Sequence, residues 1–261
     1  MLIDQLHPRA WDERRNLIIP GDYNTTLVFC VEHFVSIAQL AIQDHDAFYV
    51  ALSGGSTPKA IFDLLTAGRL ASHLNWSKVH LFWGDERTVG PDHPDNNYRM
   101  AMSCGLGKMP IPAEQIHRMH AEIDLEENAK RYEETIHTVM KGRPFDLVML
   151  GMGEDGHTAS LFPHTKGLKV TDRLVIANEI PQKNCARMTL TYPCINRANA
   201  IVFYVLGASK KYTLSEVLLS PPNFERYPSQ AIGTKEHKAL WIADEAAASD
   251  LMEKQKSLNS H

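Results

Sequence analysis

The chain has 261 residues, 44% of them hydrophobic, which is enough for a sizeable core and argues against intrinsic disorder. Its 27 basic and 31 acidic residues leave a net charge of −4, with no block of five or six basic residues. This balance argues against nucleic acid and membrane surfaces as main partners, yet leaves room for a small anion in a local positive pocket.

The N-terminus, MLIDQLHPRAWDERRNLI, carries acids and a proline where a signal peptide needs an apolar stretch. Charged or polar residues are expected to interrupt every run near membrane-spanning length. The four cysteines, Cys30, Cys104, Cys185 and Cys194, form no C-x-x-C pair, which suits free thiols in a reducing cytoplasm.

Along the chain, TTLVFCVEHFVSIAQLAIQ (25–43) has apolar residues at helical spacing, with Thr25 or Thr26 as its expected cap. AFYVALSGG (47–55) reads as a buried strand running into a glycine loop, and PKAIFDLL (58–65) as a helix opened by proline. KVHLFWGDER (78–87) is a second strand with a charged end. NNYRMAMSC and LEENAKRYEETIHTVM read as helices. FDLVMLGMG (145–153) and AIVFYVLG (200–207) are the third and fourth buried strands, SKKYTLSEVLL (209–219) a helix and ALWIAD (239–244) the last strand. RLVIANEI and RMTLTYP form a β excursion between the third and fourth strands, and the tail EKQKSLNSH reads as frayed. Strands alternating with helices predict an α/β fold of βαβ units around a mostly parallel sheet. No repeat or linker divides the chain, so 1–261 is read as a single domain. The oligomeric state is left open.

Four of these strands end in polar or glycine-rich segments: SGGSTP, GDER, GMGEDGH and GASKK. In an open α/β sheet, ligands sit outside the carboxyl ends of the strands, so the four segments are expected to converge. SGGSTP (53–58) pairs glycines and hydroxyls with a helix start, which suits a phosphate cradle, although an ordinary strand-to-helix turn has the same composition. It is not a Walker loop, because G-x-x-x-x-G-K-[ST] is absent. In GDER (84–87), Arg87 stands beside the carboxylates Asp85 and Glu86, and arginine is the side chain type that grips phosphate or carboxylate bidentately, although a solvated charged turn has the same composition. The polar loop TVGPDHPDNNY that follows suits a semi-rigid wall. In GASKK, Lys210 or Lys211 is placed to reach an anion.

GMGEDG is a literal G-x-G-x-x-G match after a strand, and Glu179 even lies some twenty residues beyond it. The chemistry is wrong for a dinucleotide, however, because Glu154 and Asp155 would face the pyrophosphate and repel it. The Asp155-x-His157 pair reads better as catalytic machinery, with a carboxylate fixing the tautomer of an imidazole base. A helix-capping aspartate and a surface histidine are the alternatives. His117 and His120 are spaced i, i+3, but no third ligand accompanies them, so no metal is expected. No G-x-S-x-G elbow marks a serine nucleophile.

Taken together, ALSGGSTP, WGDERTVGPDHPDNNYRMA, FDLVMLGMGEDGHTASLFP and VLGASKK resemble the 6-phosphogluconolactonase family, in its order, from about residue 48 to residue 211. The resemblance implies a fold shared with glucosamine-6-phosphate deaminases and ribose-5-phosphate isomerases, a Rossmann-like α/β three-layer sandwich with a mostly parallel sheet and a small β excursion. It also implies cytoplasmic hydrolysis of 6-phosphoglucono-δ-lactone, a phosphosugar lactone of the oxidative pentose phosphate pathway, without metal or organic cofactor. On the motif match, His157 would be the base and Asp155 its orienting partner. Arg87, Lys210 and the loop Ser53, Gly54, Gly55, Ser56 and Thr57 would hold the anionic substrate, with Asp85 beside them. Two positions depart from the pattern, Gly90 where proline is common and Asn96 where serine is, and both bear on the rigidity of the loop after GDER. The deaminase relatives carry G-H-I-A-F-N-E-P at the third motif, with a glutamate past the histidine, and GHTASLFP has none. A non-catalytic sugar-phosphate sensor would leave Asp155 and His157 without a task. A dehydrogenase ranks behind both.

Overall fold

The computed structural model describes residues 2–258. From the N-terminus come β1 (Arg9–Ala10), β2 (Arg15–Ile18), α1 (Tyr23–His45), β3 (Phe48–Leu52), α2 (Ser56–Ala67) and β4 (Val79–Trp83). Next are β5 (Asp85–Arg87), α3 (Asn97–Ser103), α4 (Leu125–Met140), β6 (Leu147–Leu150), β7 (Val175–Ile180) and β8 (Cys185–Leu190). The chain closes with α5 (Tyr192–Asn196), β9 (Ala200–Val205), α6 (Lys211–Leu219), β10 (Ala239–Ala243) and α7 (Glu245–Leu258).

The central sheet has the order β1-β2-β10-β9-β6-β3-β4, and every pairing but β1 with β2 is parallel. Strands covered on both faces must be apolar throughout, and LVML in β6 is buried at all four positions. With the right-handed crossovers that parallel strands require, this strand order places α1 and α2 on one face and α4 and α6 on the other, which gives the three layers. α1 packs on α2, and α6 packs on α7. From the centre, the chain runs outward in both directions, β3 to β4 on one side and β6 to β9 and β10 on the other. The β3–β6 junction is therefore the topological switch point, where a crevice opens at the strands' carboxyl ends.

Several expectations shift. The strand expected over 78–87 breaks at Gly84, and Asp85–Arg87 becomes β5 of a second, antiparallel sheet of order β5-β8-β7. Gly84 joins the two sheets: its N–H donates to Leu52 O at 2.8 Å, and its carbonyl accepts from Leu190 N at 2.8 Å. The β excursion is thus β7 and β8 of this sheet. Helix α1 is capped not by Thr25 or Thr26 but by Asp22, whose side chain accepts from Thr25 N at 2.8 Å. Strands β1 and β2 had no clear sequence pattern. The expected fraying at 253–261 is corrected as far as residue 258, which is helical in α7, and residues 259–261 lie outside the described residues.

Contrary to the hydropathy expectation, α1 is long and apolar enough to cross a membrane by length and composition, with mean hydropathy 1.6 over its best window. Half of that window is buried inside the protein, and Phe29, Val31, Phe34, Val35 and Ala38 are part of the core. Packing against the sheet accounts for its composition.

Candidate active site

A cavity of about 240 Å³ opens at the switch point, and all four polar strand ends line it. The SGGSTP segment supplies Ser53, Gly54, Gly55, Ser56 and Thr57. Gly55 is the N-cap of α2, so the helix delivers its first unpaired N–H groups and the positive end of its dipole into the cavity. The helix begins at Ser56, two residues before the expected proline start.

The second wall comes from the antiparallel sheet. Asp85 and Arg87 point to one face of β5 because side chains alternate along a strand. The register places Thr189 opposite Asp85 and Arg187 opposite Arg87. Asp85, Arg87 and Arg187 all line the cavity. Asp85 is 5% exposed, and its carboxylate accepts from Ser160 Oγ at 2.5 Å and Asn97 Nδ2 at 3.3 Å. Arg87 donates through one terminal nitrogen to Asp95 O at 2.7 Å, which ties it to the following loop. Its buried Nε has no hydrogen-bond partner among the described residues. Arg187 lies over the Phe162 ring, 5.3 Å from the centroid. Sequence reasoning missed Arg187, because only the strand register brings it beside Arg87.

Glu86 points the other way and stays out of the cavity. Its carboxylate accepts from Arg87 N, Asn97 N and Tyr98 N at 2.8, 2.8 and 2.9 Å, so it fixes the start of α3. Complete burial pushes its carboxyl up to about 7, against the downward pull of those three donors. Asn96 caps the same helix, accepting from Arg99 N at 2.8 Å. Asparagine and serine are equivalent caps, so that departure from the family pattern leaves the loop anchored.

The third wall is the GMGEDGH loop. No α-helix follows it, and the next helical element is a 3-10 turn at Lys166–Lys169. His157 therefore does not stand at the mouth of a helix, and the loop lacks the helix N-terminus on which a dinucleotide fingerprint depends. Glu179 lies on β7 of the other sheet. The loop instead closes on itself, Gly153 N donating to His157 O at 2.9 Å and Gly156 N to Gly153 O at 3.0 Å. A Cβ at Gly153 would run into the His157 ring, so this position demands glycine. Gly156 has φ +81°, in the left-handed region.

This turn carries Asp155 back onto His157. Asp155 Oδ1 accepts from the His157 backbone N–H at 3.1 Å and from its Nδ1 at 2.5 Å. Burial works to raise the Asp155 carboxyl, but the hydrogen bonds and charge of His157 outweigh it and hold it at about 2. An ionised carboxylate keeps the proton on Nδ1 and leaves Nε2 with a free lone pair. The imidazole stacks on Phe162, with centroids 3.8 Å apart and planes at 17°, which fixes its rotation. His157 lines the cavity.

Lys210 completes the ring of cations, donating to Met152 O at 3.0 Å from the N-cap of α6. Lys211 is turned away and pairs with Asp250 at 3.2 Å. The buried Tyr204 also lines the cavity, and its hydroxyl has no partner among the described residues. Among the described residues no group of three or more His, Cys, Asp or Glu side chains is arranged to hold a metal. Three cations, a helix N-terminus and an oriented imidazole around a small polar cavity can hold a phosphorylated sugar and take a proton from water beside it.

Comparison with known proteins gives a consistent picture. Residues 24–241 match the family model described as glucosamine-6-phosphate isomerases/6-phosphogluconolactonase. The chain is 42% identical to a 6-phosphogluconolactonase of Nostoc over 220 residues, covering 81% of this chain and 88% of that one. It is 40% identical to a 6-phosphogluconolactonase of Chlamydia muridarum over 242 residues, 92% of each. Its fold superposes on the solved structure of 6-phosphogluconolactonase from Trypanosoma cruzi with a TM-score of 0.80 at 26% identity, over 94% of this chain and 99% of that one.

Proposed function

The chain belongs to the glucosamine-6-phosphate isomerase/6-phosphogluconolactonase family, and we propose that it acts there as a 6-phosphogluconolactonase with His157 as general base. The reaction is hydrolysis of 6-phospho-D-glucono-1,5-lactone to 6-phospho-D-gluconate, in the oxidative pentose phosphate pathway. The observation that carries this reading is the Asp155–His157 pair, set within a cavity ringed by Arg87, Arg187 and Lys210.

A δ-lactone is an activated ester, so water needs only positioning and deprotonation. His157 Nε2 takes a proton as the water oxygen attacks C1, and the carbonyl becomes an oxyanion. Collapse of that tetrahedral species breaks the bond from C1 to the ring oxygen, which receives the proton from the imidazolium. Asp155 stabilises the imidazolium between the two transfers without itself being protonated. General-base catalysis supplies ~10²–10⁴-fold here, and orientation in the cavity adds to it.

Arg87, Arg187, Lys210 and the N–H groups at the start of α2 hold the anionic part of the substrate. Arg87 and Arg187 form the part of the wall best suited to bidentate contact with phosphate. Asp85, as a carboxylate, suits a sugar hydroxyl rather than phosphate. The free thiols at Cys30, Cys104, Cys185 and Cys194 support a reducing, cytoplasmic setting. The test is a coupled assay in which the lactone is generated in situ from glucose 6-phosphate and acid release is followed. Acceleration over spontaneous hydrolysis is expected, and no acceleration would refute the assignment.

A further inference from the structure

The segment NFERYPSQ (223–230) lies far along the chain from the glycine loop, yet it lies against that loop in the fold. It is firmly anchored. Gln230 closes the segment on itself, accepting from Asn223 N at 2.7 Å, and ties it to the fold by donating to Val217 O, near the end of α6, at 3.0 Å. Tyr192 Oη, at the start of α5, donates to Pro228 O at 2.9 Å. Pro228, Ser229 and Gln230 are buried.

From these anchors the segment reaches the glycine loop at one residue. Ser229 N donates to Gly156 O at 3.0 Å, and Tyr227 covers the same glycine so closely that a Cβ there would lie 2.7 Å from its ring carbon Cδ1. A third contact, His164 N to Glu225 O at 3.2 Å, holds the far end of the same loop region. Gly156 is the residue between Asp155 and His157, and its left-handed φ sets how the two side chains face each other. Within the loop, Gly156 N donates to Gly153 O and Gly153 N to His157 O, while Thr158, Lys210 and Thr213 hold the carbonyls of Gly151, Met152 and Glu154. None of these bonds reaches the carbonyl of Gly156, so the peptide that joins Gly156 to His157 takes its hold on that side from Ser229.

We propose that residues 223–230 form a strap that positions His157, with Tyr227 and Ser229 as positioning residues acting through Gly156. The inference rests on the reading of His157 as the base. Asp155 Oδ1 serves both the backbone N–H and Nδ1 of His157, so a small rotation of the Gly156 peptide breaks one of the two bonds and turns the imidazole. Misplacement of a catalytic group by about 1 Å costs up to ~10²-fold in rate, whereas the distant anion contacts are untouched.

The test is steady-state kinetics on four variants of the full chain, each checked by melting and by 6-phosphogluconate binding. Tyr227→Ala is expected to lower kcat about tenfold with KM held, since orientation is lost and uniform binding is not. Tyr227→Phe is expected to be native, because the contact is made by a ring carbon. The double variant His157→Ala/Tyr227→Ala is expected to be no slower than His157→Ala alone, as two changes acting on one group are not additive. If alanine at 227 prevents folding, Tyr227→Leu, which keeps volume without the flat ring, is read the same way. Native kcat in Tyr227→Ala, an equal loss in Tyr227→Phe, or losses that multiply in the double variant would overturn the strap. If His157→Ala alone keeps native turnover, the base assignment itself fails, and that result is distinct from the others.

Discussion

Arg87 on β5 and Arg187 on β8 are directly opposite partners across an antiparallel pair, with both side chains lining one cavity. Like charges in that relation destabilise a sheet unless an anion bridges them. The pair thus explains how a chain of net charge −4 concentrates positive potential at one point. Arg187→Gln should leave the ligand-free protein no less stable, within about 1 kcal/mol, since relieved repulsion offsets the lost contact with Phe162. The same change should raise KM for the phosphorylated lactone and shrink the melting shift given by 6-phosphogluconate. Melting curves with and without that product, beside steady-state kinetics, check both halves. An unchanged KM would remove Arg187 from the binding wall.

Arg87→Ala should likewise act chiefly through KM, because a contact to phosphate is made in ground and transition states alike. Gluconolactone without the phosphate should be a poor substrate for the same reason. A collapse of kcat at constant KM would instead place Arg87 on the developing oxyanion.

Asp155→Asn should reduce kcat by less than removal of His157 does. The amide can still face Nδ1 through its oxygen, but it no longer stabilises the imidazolium, so orientation survives in part. The comparison of kcat in Asp155→Asn and His157→Ala, measured side by side, decides this. A larger loss in Asp155→Asn would mean that the carboxylate, not the imidazole, takes the proton.

Away from the cavity, His80 Nδ1 and His117 Nε2 are within hydrogen-bond distance of each other, at 3.3 Å. Burial, with His80 as a second cause, lowers His117 from 6.5 to about 4. The fold therefore prefers the neutral ring, and this contribution to stability is present above pH 6.5 and lost as pH falls towards 4. Urea denaturation at pH 7 and pH 5 should show a stability loss on acidification that is smaller in His117→Gln. Equal losses in the two proteins would assign the acid sensitivity to other groups.

Much of this architecture was legible in the sequence, for physical reasons. β3, β6, β9 and β10 are buried on both faces, so their apolar runs stand out, and LEENAKRYEETIHTVM spans α4 from end to end. The glycine loop was legible through charge: Glu154 and Asp155 are wrong for pyrophosphate, whatever the spacing of the glycines. Where the reading fell short, the missing information was tertiary. Gly84 changes sheets because of hydrogen bonds to Leu52 and Leu190, and no local pattern announces those partners. Arg187 enters the cavity through strand register, and Tyr227 meets Gly156 across a sequence gap that only the fold closes. Glu86, adjacent to two cavity residues, points away because side chains alternate along β5.

On the proposed mechanism, His157 activates the attacking water. Its most direct test is the turnover of purified, folded His157→Ala against the spontaneous rate of lactone hydrolysis, with 6-phosphogluconate binding measured on the same sample. A fall in kcat of ~10²–10⁴-fold is expected, with product binding largely kept. Near-native turnover in that variant would contradict it and move the base to another group in the cavity.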